Sequence, residues 1–293
     1  MRYWKAGRYL LPLGKKTYIM GIVNVTPDSF SDGGTYFSVP KAVQHALELQ
    51  EQGADLLDIG AQSTRPGFSP VSAEEEAARL IPVLEALQGK IAIPVSVDTF
   101  YPLVATEALR AGAAILNDVT GFSDPKMVAT ALTSDCGCIV MHNTAFSILP
   151  QVESHDAGCE GLPITERVRA FFHRRKEELQ KAGIAAERLC FDPGVGFGKT
   201  PEENMELIAN VPELTQDQSY AFLMAASRKR VIGAACGNPP FEERLWGTIA
   251  AHTISQWGGA DILRVHDVRE AVQAAQVADA ILRFSHRRDA NSL

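Results

Sequence analysis

The stretch YIMGIVNVTPDSFSDGG, Tyr18 to Gly34, contains the unit from which the fold is read. Tyr18–Val23 is a short apolar run with the length of a buried strand. It runs into a polar residue, Asn24, and then into a loop from Thr26 to Tyr36 rich in Gly, Pro, Ser and Asp, the residues that make turns. A stretch with helical spacing follows.

The same unit recurs along the chain. Further candidate strands are Leu56–Ile59, Ile93–Val97, Ala114–Asn117, Gly137–Met141, Arg188–Phe191, Ala221–Ala226 and Asp261–Val265. Between strands, Ala77, Leu80, Ile81, Leu84 and Leu87 follow helical spacing. So do Val268, Ala271, Val272, Ala275, Ala278 and Ile281. Such stripes face a sheet, and are packing rather than sites. Alternating strand–helix units predict a parallel sheet with right-handed crossovers. Eight of them close a TIM (β/α)8 barrel; a doubly wound open sheet is the main rival. Tyr3–Lys5 and Arg8–Leu11, around Gly7, stand outside the repeat and are expected to form a hairpin capping the barrel's bottom. The expected organisation is one domain over residues 1–293, with a lead-in hairpin (1–16), a barrel (17–284) and a tail (285–293). Asn143 to Pro163 reads as one long loop, and loops of that length are usually functional or mobile.

The bulk numbers exclude several classes. The net charge of -7, with no long Lys/Arg run, argues against a nucleic-acid partner. No apolar run approaches the ~18 residues of a membrane helix, and the N-terminus lacks the apolar core of a signal peptide. The five cysteines, Cys136, Cys138, Cys159, Cys190 and Cys236, match no disulfide or zinc spacing. A cytoplasmic protein with reduced thiols is expected.

The informative fact is where the polar residues fall. Strand one runs into Asn24, and strand two reaches Asp58 before Ser63–Gly67. Strand three ends in Asp98, strand four in Asn117 and Asp118, and strand six in Asp192. Strand seven ends in Ser227-Arg228-Lys229 and strand eight in Arg264 and His266. One such residue is usually a cap or turn former. A whole set at the C-terminal ends of barrel strands lines one mouth. Asp98, Asn117 and Asp192 suit a flat heterocycle with paired N–H donors, and equally a divalent cation. Thr64, Arg65, Arg264 and His266 suit phosphate. Lys229 bridges the two regions. Thr26–Tyr36 and Ser63–Ser72 are expected to act as lids.

Some features are decoys. Gly194-Val195-Gly196-Phe197-Gly198-Lys199-Thr200 is one residue short of the phosphate-binding GxxxxGK[ST] pattern. Its glycines are expected to let a loop turn closely past a ligand, with Phe197 walling the pocket. Asn24-Val25-Thr26 is a glycosylation sequon that a protein without a signal peptide does not use. His142 reads as hydrogen-bonded structure.

Seven segments in order carry a resemblance: MGIVNVTPDSFSDGG (Met20–Gly34), DIGAQSTRPG (Asp58–Gly67), SVDT (Ser96–Thr99), LNDV (Leu116–Val119), FDPGVGFGK (Phe191–Lys199), SRK (Ser227–Lys229) and RVHDV (Arg264–Val268). From about Met20 to Ala280 the chain resembles the dihydropteroate synthase family. The resemblance implies a TIM barrel that condenses hydroxymethyl-dihydropterin pyrophosphate with para-aminobenzoate, releasing pyrophosphate and dihydropteroate. It implies that Asp98, Asn117, Asp192 and Lys229 hold the pterin, with Met141 and Phe197 lining it and Arg264 stacking on it. Asn24 would help place Mg2+. Thr64, Arg65, Arg264 and His266 would bind pyrophosphate. Phe30, Pro66, Gly67 and Lys229 would form the aminobenzoate slot, and Asp32 would act when the first loop closes. Asp32, Asp98, Lys229 and Arg264 would be the catalytic residues. The resemblance also implies a homodimer, and the sequence around Phe30 and Pro66 predicts inhibition by sulfonamides competing with aminobenzoate. The chain departs from the family at Ala61-Gln62, where Gly-Glu is common, and at Arg230, where many members have serine. A pterin-binding methyltransferase-like barrel and a non-catalytic pterin binder are the alternatives. The first has no need of the pyrophosphate set, and the second no need of an intact row of polar strand ends.

Overall fold

A computed structural model of the chain describes residues 2–26, 38–62, 71–145 and 154–285. The chain opens with an antiparallel hairpin, β1 (Tyr3–Ala6) and β2 (Tyr9–Pro12). Eight parallel strands follow: β3 (Tyr18–Asn24), β4 (Leu56–Gly60), β5 (Val95–Asp98), β6 (Ile115–Asp118), β7 (Gly137–Met141), β8 (Leu189–Asp192), β9 (Ala221–Met224) and β10 (Ile262–Val265). Each pairs with the next and β10 pairs with β3, so the sheet closes into a barrel. Closure decides against the open sheet.

Helices fill the crossovers: α1 (Val39–Glu51), α2 (Ala73–Leu87), α3 (Pro102–Arg110), α4 (Pro125–Leu132), α5 (Ile164–Ala182), α6 (Pro201–Ala209), α7 (Val211–Leu214), α8 (Arg230–Ala235), α9 (Leu245–Gly258) and α10 (Val268–Leu282). Local chemistry starts several of them. Ser72 caps α2 by accepting from Glu75 N–H, and three glutamates occupy its first turn, the end where negative charge is favoured. Thr200 and Glu203 form a reciprocal capping box on α6. None of the described helices is long and apolar enough to cross a membrane.

Strand periodicity sorts the side chains into two layers. Met20, Leu56, Ile115, Ile139, Cys190, Leu223 and Ile262 cluster inside the barrel with Trp4 and Ala6 of the hairpin. The intervening residues, such as Leu57, Ile59, Val97, Leu116, Val140, Phe191 and Leu263, pack outward under the helices. The hairpin therefore plugs the N-terminal end, as expected. Trp4 Nε1 donates to Arg188 O at 3.0 Å, deep under the strands.

The α2 stripe is buried as read, with Ile81 partly so. The α10 stripe needs one correction. Val268, Ala271, Ala275 and Ala278 face the barrel, but Ile281 is exposed and Leu282 takes the buried position. The periodicity of 3.6 residues carries the stripe past Ile281 at the helix end. In the long β7–α5 connection, the described residues 142–145 and 154–163 hold no helix or strand. All five cysteines are free.

Candidate active site

Two residues along each strand from the barrel's inner layer, the side chains again point inward, now at the C-terminal mouth. On β4, Leu56 is followed by Asp58; on β5, Ser96 by Asp98. Ile115 is followed by Asn117, Ile139 by Met141, Cys190 by Asp192 and Ile262 by Arg264. Sheet register aligns them: Asp98 stands opposite Gly60 on one side and Asn117 on the other. Gly60 gives room, since a Cβ there would approach Asp98 Cβ to 3.3 Å.

Arg264 is the hub. Its Nε donates to Asp58 Oδ2 at 2.6 Å and its Nη2 to Asp98 Oδ2 at 3.2 Å. Asn117 Nδ2 donates to the same Asp58 oxygen at 3.0 Å. Asp58 is fully buried, and the second oxygens of both Asp58 and Asp98 have no hydrogen-bond partner in the protein. Burial first, and then the charge of Asp58, pushes Asp98 up to about 7 against the pull of Arg264. Unpaired buried carboxylate oxygens are costly. A planar ligand edge with N–H donors would satisfy them.

The opposite wall comes from β8 and β9. Asp192 accepts from Gly194 N–H at 2.7 Å, and burial raises its carboxyl above the usual range. Lys229 donates to Val195 O at 2.6 Å and lies 4.8 Å from the centre of the Phe197 ring. Burial lowers its ammonium to about 8, with Asp192 the chief opposing charge. Met141 groups with Phe100, Val119, Tyr101 and Phe197 in an apolar cluster. At the rim, Ser227 Oγ accepts from His266 N–H at 3.1 Å and lies 3.0 Å from His266 Nδ1. Ser227 thus meets His266 through both its backbone and its ring. Asn24, half-buried, ends β3.

The structure thus brings Asp98, Asn117, Met141, Asp192, Phe197, Lys229 and Arg264 to one mouth, with His266 and Asn24 at strand ends on the same side. Phe30, Asp32, Thr64, Arg65, Pro66 and Gly67, and most of the two expected lids, lie outside the described residues. Asp58 had no role assigned from sequence, and it is the most connected acceptor in the site. An aspartate at the centre of the apolar run LLDIG, in phase with Gly60 and Asp98, was the available signal. Asp118 is not part of the mouth. Its carboxylate accepts from Thr120 N–H, Thr120 Oγ and Phe122 N–H, so it is a turn former. His142 points away from the barrel, with Nε2 3.0 Å from Asp156 and its ring edge-on to Phe171. Burial lowers it to about 4, so the ring is neutral and structural. Thr200 of the phosphate-loop look-alike is the N-cap of α6.

Gln62, at the first departure from the family, donates to buried Glu76 at 3.2 Å and accepts from Val71 N–H at 2.8 Å. A glutamine can do both at once; an ionised glutamate can only accept.

Comparison with known proteins gives a consistent picture. The profile of the pterin binding enzyme family matches residues 20–266. The chain is 41% identical over 280 residues to a dihydropteroate synthase of Synechocystis, covering 94% of each. It resembles the structure of Xanthomonas albilineans dihydropteroate synthase with 4-aminobenzoic acid, with a TM-score of 0.85, 42% identity, and 94% and 96% of the two chains covered. It is equally similar in shape, TM-score 0.85 at 36% identity, to the Yersinia pestis dihydropteroate synthase complexed with a sulfonamide drug, with 96% and 99% covered.

Proposed function

Because this chain belongs to the dihydropteroate synthase family of pterin binding enzymes, we propose that its barrel mouth condenses hydroxymethyl-dihydropterin pyrophosphate with para-aminobenzoate, releasing pyrophosphate and dihydropteroate for folate biosynthesis. The observation that carries the reading onto residues is the pair of bare, buried oxygens on Asp58 and Asp98 beside Asn117 and Arg264. They match the paired N–H groups along a pterin edge.

Each residue then has a task. Asp98, Asn117 and Asp192 hold the pterin edge, Met141 and Phe197 flank the ring, and Lys229 reaches it from the β9 side. Arg264 stacks on the ring and extends to the pyrophosphate, with His266 beside it. The bond from the pterin methylene to the pyrophosphate oxygen breaks first. The positive charge left behind spreads over the electron-rich ring, and the buried carboxylates of Asp58, Asp98 and Asp192 favour it electrostatically. The aromatic amine then bonds to the methylene and loses a proton. Arg264 and His266 neutralise charge on the departing group. No protein nucleophile is required. Thr64 and Arg65 in the pyrophosphate set, Phe30, Pro66 and Gly67 in the aminobenzoate slot, and Asp32 as a catalytic residue rest on the family's motifs alone. Sulfonamides, which mimic the amine, are expected to compete for that slot.

Magnesium belongs to the same proposal. Asn24 offers one carboxamide oxygen at the mouth, which suits a hard cation that takes its other ligands from phosphate and water. Bound there, it would supply charge neutralisation at the pyrophosphate. A homodimer is proposed from the apolar face on α9 and α10, where Trp246, Val277 and Ile281 are exposed. A cytoplasmic setting accords with five free cysteines.

The test is pyrophosphate release from the pterin substrate with Mg2+, with and without para-aminobenzoate, in wild type and Lys229→Ala. Net dihydropteroate formation should require the amine, and kcat/KM should fall about a hundredfold or more in the variant. No release from wild type with either substrate would remove the synthase reading.

A further inference from the structure

The phosphate-loop look-alike has no phosphate role at the mouth, yet its lysine sits among backbone carbonyls. Lys199 Nζ donates to three backbone carbonyls: Gly194 O at 2.9 Å, His142 O at 3.1 Å and Phe197 O at 3.2 Å. An ammonium has three N–H donors, and these contacts use all three. His142 lies just past β7; Gly194 and Phe197 lie just past β8. One side chain therefore ties together two neighbouring loops of the mouth.

Those loops meet at contact distance. A Cβ on Gly194 would stand 1.8 Å from His142 O, and one on Gly198 would stand 2.3 Å from Thr144 Oγ1. Thr144 Oγ also donates to Gly198 O at 2.8 Å. The clamped segment carries what the β9 side of the site rests on. Val195 O receives the ammonium of Lys229, Phe197 lies under it, and Gly196 leaves room for its stem.

We propose that Lys199 is a positioning residue, which holds the β8 loop against the β7 loop and so fixes the seat from which Lys229 and Phe197 meet the pterin. The proposal rests on the mouth being a pterin site. Its chemistry is specific: three carbonyls converge on one point and only a multiple donor satisfies them. Lys199 pays for that position in proton affinity, since burial lowers its ammonium to about 7, with Asp192 the chief opposing charge.

The test uses Lys199→Met, which keeps the length and removes the donors, and Lys199→Arg, which keeps charge and donors. Steady-state kinetics with both substrates are combined with calorimetric binding of 6-hydroxymethylpterin and with thermal midpoints. Lys199→Met is expected to raise the KM for the pterin substrate and to weaken pterin binding by about tenfold or more, with kcat changed less than KM. Lys199→Arg is expected to recover most of the binding. Normal pterin binding by a folded Lys199→Met protein overturns the proposal. So does a variant whose kcat and KM losses simply follow its lost stability while the arginine variant restores stability without restoring binding. If Lys199→Met does not fold, the arginine variant decides alone: unchanged kcat with wild-type pterin affinity supports the staple, and a folded protein with no pterin affinity overturns it. Wild type that binds no pterin overturns the pterin reading of the mouth itself, a different outcome from wild-type binding that survives the loss of Lys199.

Discussion

Asp98 holds the position in the mouth where charge is most contested. Burial and the neighbouring Asp58 push it up to about 7, while Arg264 pulls the other way. A carboxyl is ionised above its pKa, and only the ionised form offers both oxygens as acceptors. Asp98 therefore contributes a rise in kcat/KM for the pterin substrate between about pH 6 and about pH 8, which the loss of the Lys199 ammonium, lowered to about 7, opposes. Lys229, lowered to about 8, should add a falling limb above that. Asp98→Asn should flatten the rising limb and lower kcat/KM about a hundredfold. An Asp98→Asn profile of the same shape as wild type over the lower window would sink the assignment. Residue identity at strand ends made most of this site legible, because buried parallel strands are apolar and an aspartate there stands out. What the sequence did not reveal was partnership. Asp118 and Asp98 look alike in SVDT and LNDV, yet one caps a turn and the other faces the mouth. Asp58 stayed unassigned because the arginine that engages it lies 206 residues away.

At the scale of elements, the strands were legible to within a residue or two because their period and β-branched content are local properties. The expected Arg188–Phe191 is β8 at Leu189–Asp192, and the expected Ala221–Ala226 closes at Met224. The loops were less so, because their form is set by other loops. Gly194 shows why. It has φ +68°, which any residue but glycine adopts at a cost, and its missing Cβ makes room for a carbonyl 52 residues earlier in the chain. Gly158 has a similar φ of +76° but nothing within 4 Å of a Cβ. Gly158→Ala should therefore cost only about 1 kcal/mol of backbone strain and leave both KM values unchanged. Gly194→Ala must also displace the β7 loop, so it should lower the thermal midpoint further and raise the KM for the pterin substrate. Guanidinium unfolding and kinetics on the two variants make the comparison, and equal effects would show that strain alone matters at Gly194.

At the scale of the whole molecule, the barrel treats its two ends differently, and among the described residues one flank exposes large apolar side chains. The hairpin seals the N-terminal end by burying Trp4 completely, and the C-terminal end carries the site. On the side, α9 and α10 expose Trp246 at 75%, Val277, Ile281 and, just past α10, Phe284 at 90%. Scattered apolar residues on a surface need no explanation, but a contiguous run of large ones marks an interface. The outward face of α10 repeats Val277 and Ile281 one turn apart, and Trp246 and Ile249 stand across the groove from them. Two copies related by a two-fold axis can cover such a patch with itself. The chain should therefore sediment at about twice 31.8 kDa. Trp246→Glu places a charge in the middle of that patch, where burying it unpaired is prohibitive, and should yield a monomer. Trp246 is not among the mouth residues, so the monomer's KM values should stay close to those of wild type. Sedimentation velocity with kinetics on the same sample checks both parts. A wild type that runs as a monomer, or a Trp246→Glu protein that still runs as a dimer, would mean that this flank is not the self-association surface.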